Sequence, residues 1–262
     1  MPSADPEALS KLDDYFIHGR HPSGRLLAAE VWELMRGECC VWDLQTGDLV
    51  WRPKAVSISW SSDGAAIALL VGEYGDRFEL RSWPGRKLIS RCIVTPWACC
   101  NTYVTISPRG DRAAVLWWHQ TEGGFNLVAL EGGAARHLEG QGYTTRETNC
   151  VQGPTFSPDG RLVAMSEGFT WWWLPEPGEN PEEEPSPGGT FRRGCVTIVD
   201  IDSGSLHQLD VFGEVKGGWI PPHEGWEHFE LLGRPYFTSV NEIVLSPEFG
   251  DSYRLTVPRS RS

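Results

Sequence analysis

The 262-residue chain contains no apolar run approaching the roughly 20 residues that a membrane-crossing helix needs, so no membrane partner is expected. Its opening residues, MPSADPEALSKLDDYF, carry acidic side chains and no apolar core, so no signal peptide is expected and the chain reads as cytoplasmic. Basic residues are scarce: 23 Lys and Arg stand against 35 Asp and Glu, a net charge of -12. That balance argues against nonspecific binding to nucleic acid or to an anionic membrane, both of which require a basic surface. No Cys-x-x-Cys occurs, and the seven cysteines include two adjacent pairs, Cys39-Cys40 and Cys99-Cys100. An odd count in that arrangement is not a secreted disulfide framework, and most of these thiols read as small buried apolar residues in a reducing compartment.

Catalytic patterns are missing too. There is no Gly-x-Ser-x-Gly elbow, and the glycines of GGFNLVALEGGAARH read as hairpin turns rather than a strand-to-helix phosphate loop. The stretch His223-Glu224-Gly225-Trp226-Glu227-His228 invites a metal reading. Its histidines are five apart rather than four, which on a helix would splay them by about 140°. With Pro221-Pro222 before it and Gly225 within it, the stretch reads as a solvated loop. The expectation is therefore no catalytic residue, no metal and no cofactor.

What is abundant is turn-forming residues and tryptophan: 29 Gly, 19 Pro and 13 Trp. Many turns favour many short strands. The segments IHGRHPSGRLLAAEV (17–31), SISWSSDGAAIALLV (57–71), VTISPRGDRAAVLWW (104–118) and TFSPDGRLVA (155–164) share one form. Each is an apolar or alternating stretch, a Ser/Pro/Asp turn with glycine, and a second apolar stretch. The turn glycines are Gly24, Gly64, Gly110 and Gly160, at spacings of 40, 46 and 50 residues. A second glycine follows each, at Gly47, Gly85, Gly133 and Gly204, with offsets of 23, 21, 23 and 44. The long fourth offset matches an inserted loop, WWWLPEPGENPEEEPSPGGTF (171–191), of 21 residues. A repeat of this period is the mark of four-stranded propeller blades, which must stack around an axis to bury both faces.

VWDLQTG carries the Trp42-Asp43 dipeptide, and with the Ser-Pro-Asp-Gly turn the chain resembles the WD-repeat family of β-propellers over about residues 15–210. Ser82-Trp83, Leu130-Glu131 and Ile201-Asp202 are taken as the matching positions elsewhere, so the resemblance is to a divergent member. It implies an all-β fold: one β-propeller of about five four-stranded antiparallel blades, spanning about 15–53, 55–92, 102–140, 151–212 with the insert 171–191, and 230–262. The last blade lacks a fourth strand, and Ala8-Leu9-Ser10-Lys11-Leu12 is the candidate to close it, although this segment also reads as a helix. The resemblance further implies a non-enzymatic scaffold that binds a protein partner through loops at one end of the ring. The expected contact residues are Trp117, Trp118, Trp171, Trp172 and Trp173, the acidic Glu182, Glu183 and Glu184, and Trp219 and Trp226 before the last blade. A row of tryptophans suits an interface hot spot, and an acidic arm suits steering of a basic partner. Two alternatives stay open: a propeller that stacks a carbohydrate or small ligand on the aromatic face, and a propeller hydrolase with dispersed acids around its axis.

Overall fold

The computed structural model describes residues 17–31, 38–94, 100–119, 122–145, 151–172, 190–211, 228–231, 233–245 and 252–257. Among the described residues every regular element is a strand. The first sheet runs β1 (Ile17–Arg20), β2 (Leu26–Val31), β3 (Glu38–Asp43) and β4 (Leu49–Trp51) in chain order. The second runs β5 (Ala55–Trp60), β6 (Ala66–Val71), β7 (Arg77–Ser82) and β8 (Leu88–Ile93). The third runs β9 (Cys100–Ile106), β10 (Arg112–His119), β11 (Glu122–Glu131) and β12 (Ala134–Thr145). The fourth runs β13 (Val151–Phe156), β14 (Leu162–Trp172), β15 (Thr190–Asp200) and β16 (Leu206–Asp210), with β17 (His228–Leu231) also paired to β14. The last shows β18 (Pro235–Ser239), β19 (Glu242–Leu245) and β20 (Tyr253–Thr256). All pairings are antiparallel, and the sheets form a five-bladed β-propeller, as the repeat spacing implies. The proposed closing strand lies within 1–16, outside the described residues.

The first strands of successive blades, β1, β5, β9, β13 and β18, contact one another in turn, which sets them around the axis. The seams between blades hold the core. Ile58, Ile67 and Leu69 of the second blade pack on Ala28, Cys39 and Val41 of the first. Phe78, Leu70 and Leu80 pack on Val104, Ala113 and Val115 of the third. Phe125 and Leu127 meet Phe156, Val163 and Met165 of the fourth, whose Val196 and Ile198 meet Ile243 and Leu245 of the fifth. The second strand is buried on both faces, which is why AIALLV is an unbroken apolar run rather than an alternating one. The outer strand β8 alternates exposed and half-buried residues.

The repeat glycines mark the turns. Gly24, Gly64, Gly110 and Gly160 take φ of 72°, 70°, 72° and 69°, a left-handed backbone that costs other residues about 1–2 kcal/mol. Two of these turns also touch the neighbouring blade: a Cβ on Gly160 would sit 2.6 Å from Ser107 Oγ, and one on Gly64 2.5 Å from His21 Nε2. A Cβ on Gly110 meets nothing within 4 Å. Gly160→Ala is therefore expected to lower the melting midpoint more than Gly110→Ala, because only the first adds a contact across a seam. Equal losses in the two variants would show that packing between turns contributes nothing.

The second landmark needs correction in the second and fourth blades. The turn hydrogen bonds run from Gly47 N–H to Asp43 O, Arg86 N–H to Ser82 O and Gly204 N–H to Asp200 O. The left-handed residue of the second blade is thus Arg86, with φ of 57°, and not Gly85. The positions that match Trp42-Asp43 are Arg81-Ser82 and Val199-Asp200, not Ser82-Trp83 and Ile201-Asp202. The third blade uses a two-residue turn, Gly132-Gly133, both with positive φ.

The insert also starts later than the repeat arithmetic places it. Trp171 and Trp172 are the last residues of β14, and Thr190 and Phe191 the first of β15. They extend the hairpin as strand, and 173–189 lie outside the described residues.

Candidate functional site

The two ends of the ring differ in construction. Turns joining first to second and third to fourth strands share one end, and these are the short glycine turns described above. Links from second to third strands and from one blade to the next share the other end. The connections that run through 173–189 and 212–227 leave from that end.

From that end projects the extended β14–β15 hairpin. Its strands pair continuously from Leu162↔Asp200 to Trp172↔Thr190, while β13 reaches only as far as Glu167. Beyond that point β17 takes the place of β13, pairing Phe169↔Leu231 through Trp172↔His228. The result is a three-stranded ribbon in the order β15–β14–β17. It ends five residues, about 17 Å, beyond the last β13 pair at the usual rise per residue. In the backbone register Trp171 stands opposite Phe191 on β15 and Phe229 on β17. Two positions earlier Phe169 stands opposite Arg193 and Leu231 in the same register.

The expected contact residues distribute unevenly over this end. Trp171 and Trp172 fall on the ribbon. Trp118 is the penultimate residue of β10, paired with Gly123 and Cys100 at the same end of the third blade. Trp117 is only 9% exposed and packs inside the molecule, so it belongs to the core and not to an aromatic surface. Trp173, Glu182, Glu183, Glu184, Trp219 and Trp226 lie outside the described residues, as does His223. His228, read as loop, begins β17. Among the described residues no three His, Cys, Asp or Glu side chains converge as metal ligands.

The structure also assembles a polar cluster on the axis that the sequence did not announce. His18 Nδ1 lies 3.1 Å from Ser57 Oγ, which also accepts the Val104 N–H at 3.0 Å. The His18 and Tyr103 rings stack with centroids 6.0 Å apart, and the Tyr103 hydroxyl donates to His18 O at 3.0 Å. Arg234, just ahead of β18, donates to the Tyr103 hydroxyl at 2.7 Å, with its guanidinium carbon 3.8 Å from the ring centroid. The same guanidinium reaches Ile17 O at 3.5 Å, across the seam between last and first blades. Ser166 Oγ donates to Gly233 O at 2.5 Å, holding the approach to β18 against the fourth blade. These bonds join different blades around the axis, and Arg234 has no carboxylate partner among the described residues. The cluster is a clamp on the ring with a fixed cation at its centre.

The four buried carboxylates among the described residues all have structural partners. Asp43 pairs with Arg25 at 2.6 Å, Glu79 with Arg81 at 2.6 Å and Asp200 with Arg161 at 2.6 Å. Glu167 accepts from the Thr197 hydroxyl at the base of the fourth blade. Nearby, Gln208 Nε2 donates to Tyr143 OH at 3.2 Å and to Thr197 Oγ1 at 3.3 Å. Burial raises the Tyr143 phenol above its ordinary value.

Arg25 and Arg161 each follow a turn glycine of the repeat, so the same arginine–aspartate clasp ties first turn to second turn in blades one and four. The Arg25 hydrogen bond holds the Asp43 carboxyl below the usual carboxylate range. In Asp200 burial pushes the other way, and the Arg161 hydrogen bonds with the Ser203 and Asp202 N–H groups outweigh it. The arginine after the turn glycine was the available signal for this clasp.

No protein-family model matches the chain, and no curated protein is detectably similar to it. Several solved structures share its fold. Kuenenia stuttgartiensis hydrazine synthase superposes with a TM-score of 0.57 at 15% identity, covering 87% of this chain and 60% of that one. The β-propeller domain of Cps50 (Swd1) from Myceliophteria thermophila gives 0.56 at 12% identity, covering 96% and 68%. A chain of a nidogen/laminin complex gives 0.51 at 10% identity, covering 92% and 76%. The chain thus spans about 60% of the length of the hydrazine synthase chain. At these identities the likeness concerns architecture alone. No helix among the described residues is long and apolar enough to cross a membrane.

Proposed function

We propose that the chain is a non-enzymatic, WD-repeat-like binding module that docks a protein partner on the ribbon β15–β14–β17. The observation that carries this reading is the register that lines up Trp171, Phe191 and Phe229 on strands projecting from the loop-bearing end. A cross-strand aromatic row offers large contact area on a backbone already ordered by its ladder, the kind of anchor that dominates interface energetics. The glutamates at 182–184, between the ribbon strands in sequence, favour a basic partner and a fast, salt-dependent encounter. The engagement of every buried carboxylate among the described residues with a structural partner weighs on the same side, against a hydrolase that would use dispersed acids. The Cps50 (Swd1) β-propeller domain, the nidogen/laminin complex and hydrazine synthase all share this architecture, so the fold by itself does not decide between binding and catalysis.

The test is affinity capture from native cells with the wild-type chain, the double variant Trp171→Ser/Trp172→Ser, and Gln45→Ala, an exposed position at the glycine-turn end. A partner should be recovered stoichiometrically with wild type and Gln45→Ala, and bind the ribbon variant at least tenfold more weakly. Undiminished binding to a ribbon variant that melts like wild type would overturn the assignment.

A further inference from the structure

A pocket of about 290 Å³ opens between the first and second blades, lined by Trp51, Pro53, Lys54, Leu69, Val71, Arg77, Glu79 and Arg81. It exists because the outer strand of the first blade is short. β4 has three residues and ends at Trp51, two residues before Pro53, which cannot donate to a ladder. The facing side of the second blade is left open where a longer strand would have covered it. Its floor is apolar, since Leu69 is 2% exposed and Val71 9%.

Its charge runs against that of the molecule. The chain carries -12 overall, yet the pocket gathers three cations and one carboxylate. That carboxylate is occupied: Arg81 Nε and Nη2 donate to Glu79 Oε2 at 2.9 and 2.6 Å, and Arg81 Nη1 donates to Arg86 O at 3.0 Å. Arg86 in turn donates to Val50 O at 3.0 Å and lies 5.2 Å from the Trp51 ring centroid, so one connected set of bonds fixes the wall and the indole. Lys54 and Arg77 are left: both are exposed, and neither pairs with a carboxylate among the described residues, the adjacent Asp76 included.

We propose that this pocket binds small organic anions, the anionic head held by Lys54 and Arg77 and a flat apolar body seated against Trp51, Leu69 and Val71. Two unneutralised cations beside a buried apolar floor recognise charge and hydrophobic shape together, which water or a simple salt does not satisfy. The site is separate from the ribbon, which belongs to the fourth blade.

Titration calorimetry of the full chain with phenylacetate and with phenyl phosphate tests this, with benzylamine and inorganic phosphate as comparators. At least one of the two aromatic anions should bind saturably at one site, and the tighter of them tells whether the natural head group is carboxylate or phosphate. Binding should weaken at least tenfold in Lys54→Glu/Arg77→Glu and stay unchanged in Arg136→Glu, an exposed cation elsewhere. Both altered pocket side chains are exposed, so the melting midpoint should hold. The proposal is overturned if neither aromatic anion binds, if benzylamine or inorganic phosphate binds as well as they do, or if the double variant binds like wild type.

Discussion

Phe78→Ala should lower stability by about 3–5 kcal/mol, the range for losing a fully buried aromatic side chain. Phe78 is 0% exposed and lies in the seam between the second and third blades, beside Leu70, Leu80, Val104, Ala113, Val115 and Val128. Two sheets bound that seam, and each is hydrogen-bonded along its length, so the space left by the ring cannot close by the shift of one side chain. The cavity penalty therefore adds to the lost transfer energy. At roughly 2–4 °C per kcal/mol for a chain of this size, the melting midpoint should fall by about 10 °C. Leu88→Ala supplies the contrast: Leu88 is 45% exposed on the outer strand β8, and its loss should stay within about 0.5 kcal/mol. Urea unfolding reads both, with the midpoint moving and the slope unchanged. A loss below 1 kcal/mol for Phe78→Ala would mean that the seam is not packed as described.

The parts of the fold that could be read from sequence are those fixed by local backbone chemistry. Gly24, Gly64, Gly110 and Gly160 occupy turn positions with positive φ, a demand met within a few residues, and their spacing therefore announced the blades. The same logic failed at Arg86, where the left-handed residue is not glycine and the neighbouring Gly85 drew the assignment one position away. Pairing across distance was less visible. β17 forms only because Phe229 and its neighbours meet the end of β14, some 60 residues earlier, and a stretch with His, Glu and Gly gives no local hint of that. Adjacent strand residues point to opposite faces, but both faces of a blade pack against neighbouring blades, so the pair Trp117-Trp118 carries no sequence signal of which residues are buried. The burial of Trp117 is visible only in the structure. The axial clamp was least legible of all, since the Arg234 contact with Ile17 O spans 217 residues.

Asp200→Asn is the second substitution expected to cost heavily, about 2–3 kcal/mol at neutral pH, and the cause is a count of acceptors. One carboxylate oxygen, Oδ2, accepts from Arg161 Nε at 2.9 Å and Nη2 at 2.6 Å. The other, Oδ1, accepts the N–H groups of Asp202 at 3.1 Å and Ser203 at 3.2 Å. An asparagine has one acceptor oxygen, so its NH2 must face one of these donor sets, and Asp200 is only 1% exposed. The pH dependence isolates the charge. The folded state holds the Asp200 carboxyl below its ordinary value, so the unfolded chain takes up the proton first as pH falls. The stability from this clasp is thus complete above about pH 5 and is lost as pH drops through and below the ordinary aspartate value. Wild type and Asp200→Asn should therefore differ most at neutral pH and converge in acid, where the protonated carboxyl also has one good acceptor left. Arg161→Ala should shrink the acid loss, because without that partner burial brings the folded Asp200 carboxyl back toward its unfolded value and the two states then take up the proton together. Melting curves between about pH 7 and pH 3 measure all three proteins. A gap between wild type and Asp200→Asn that stays constant over that range would show that shape, and not the charge of the clasp, holds the two turns of the fourth blade together.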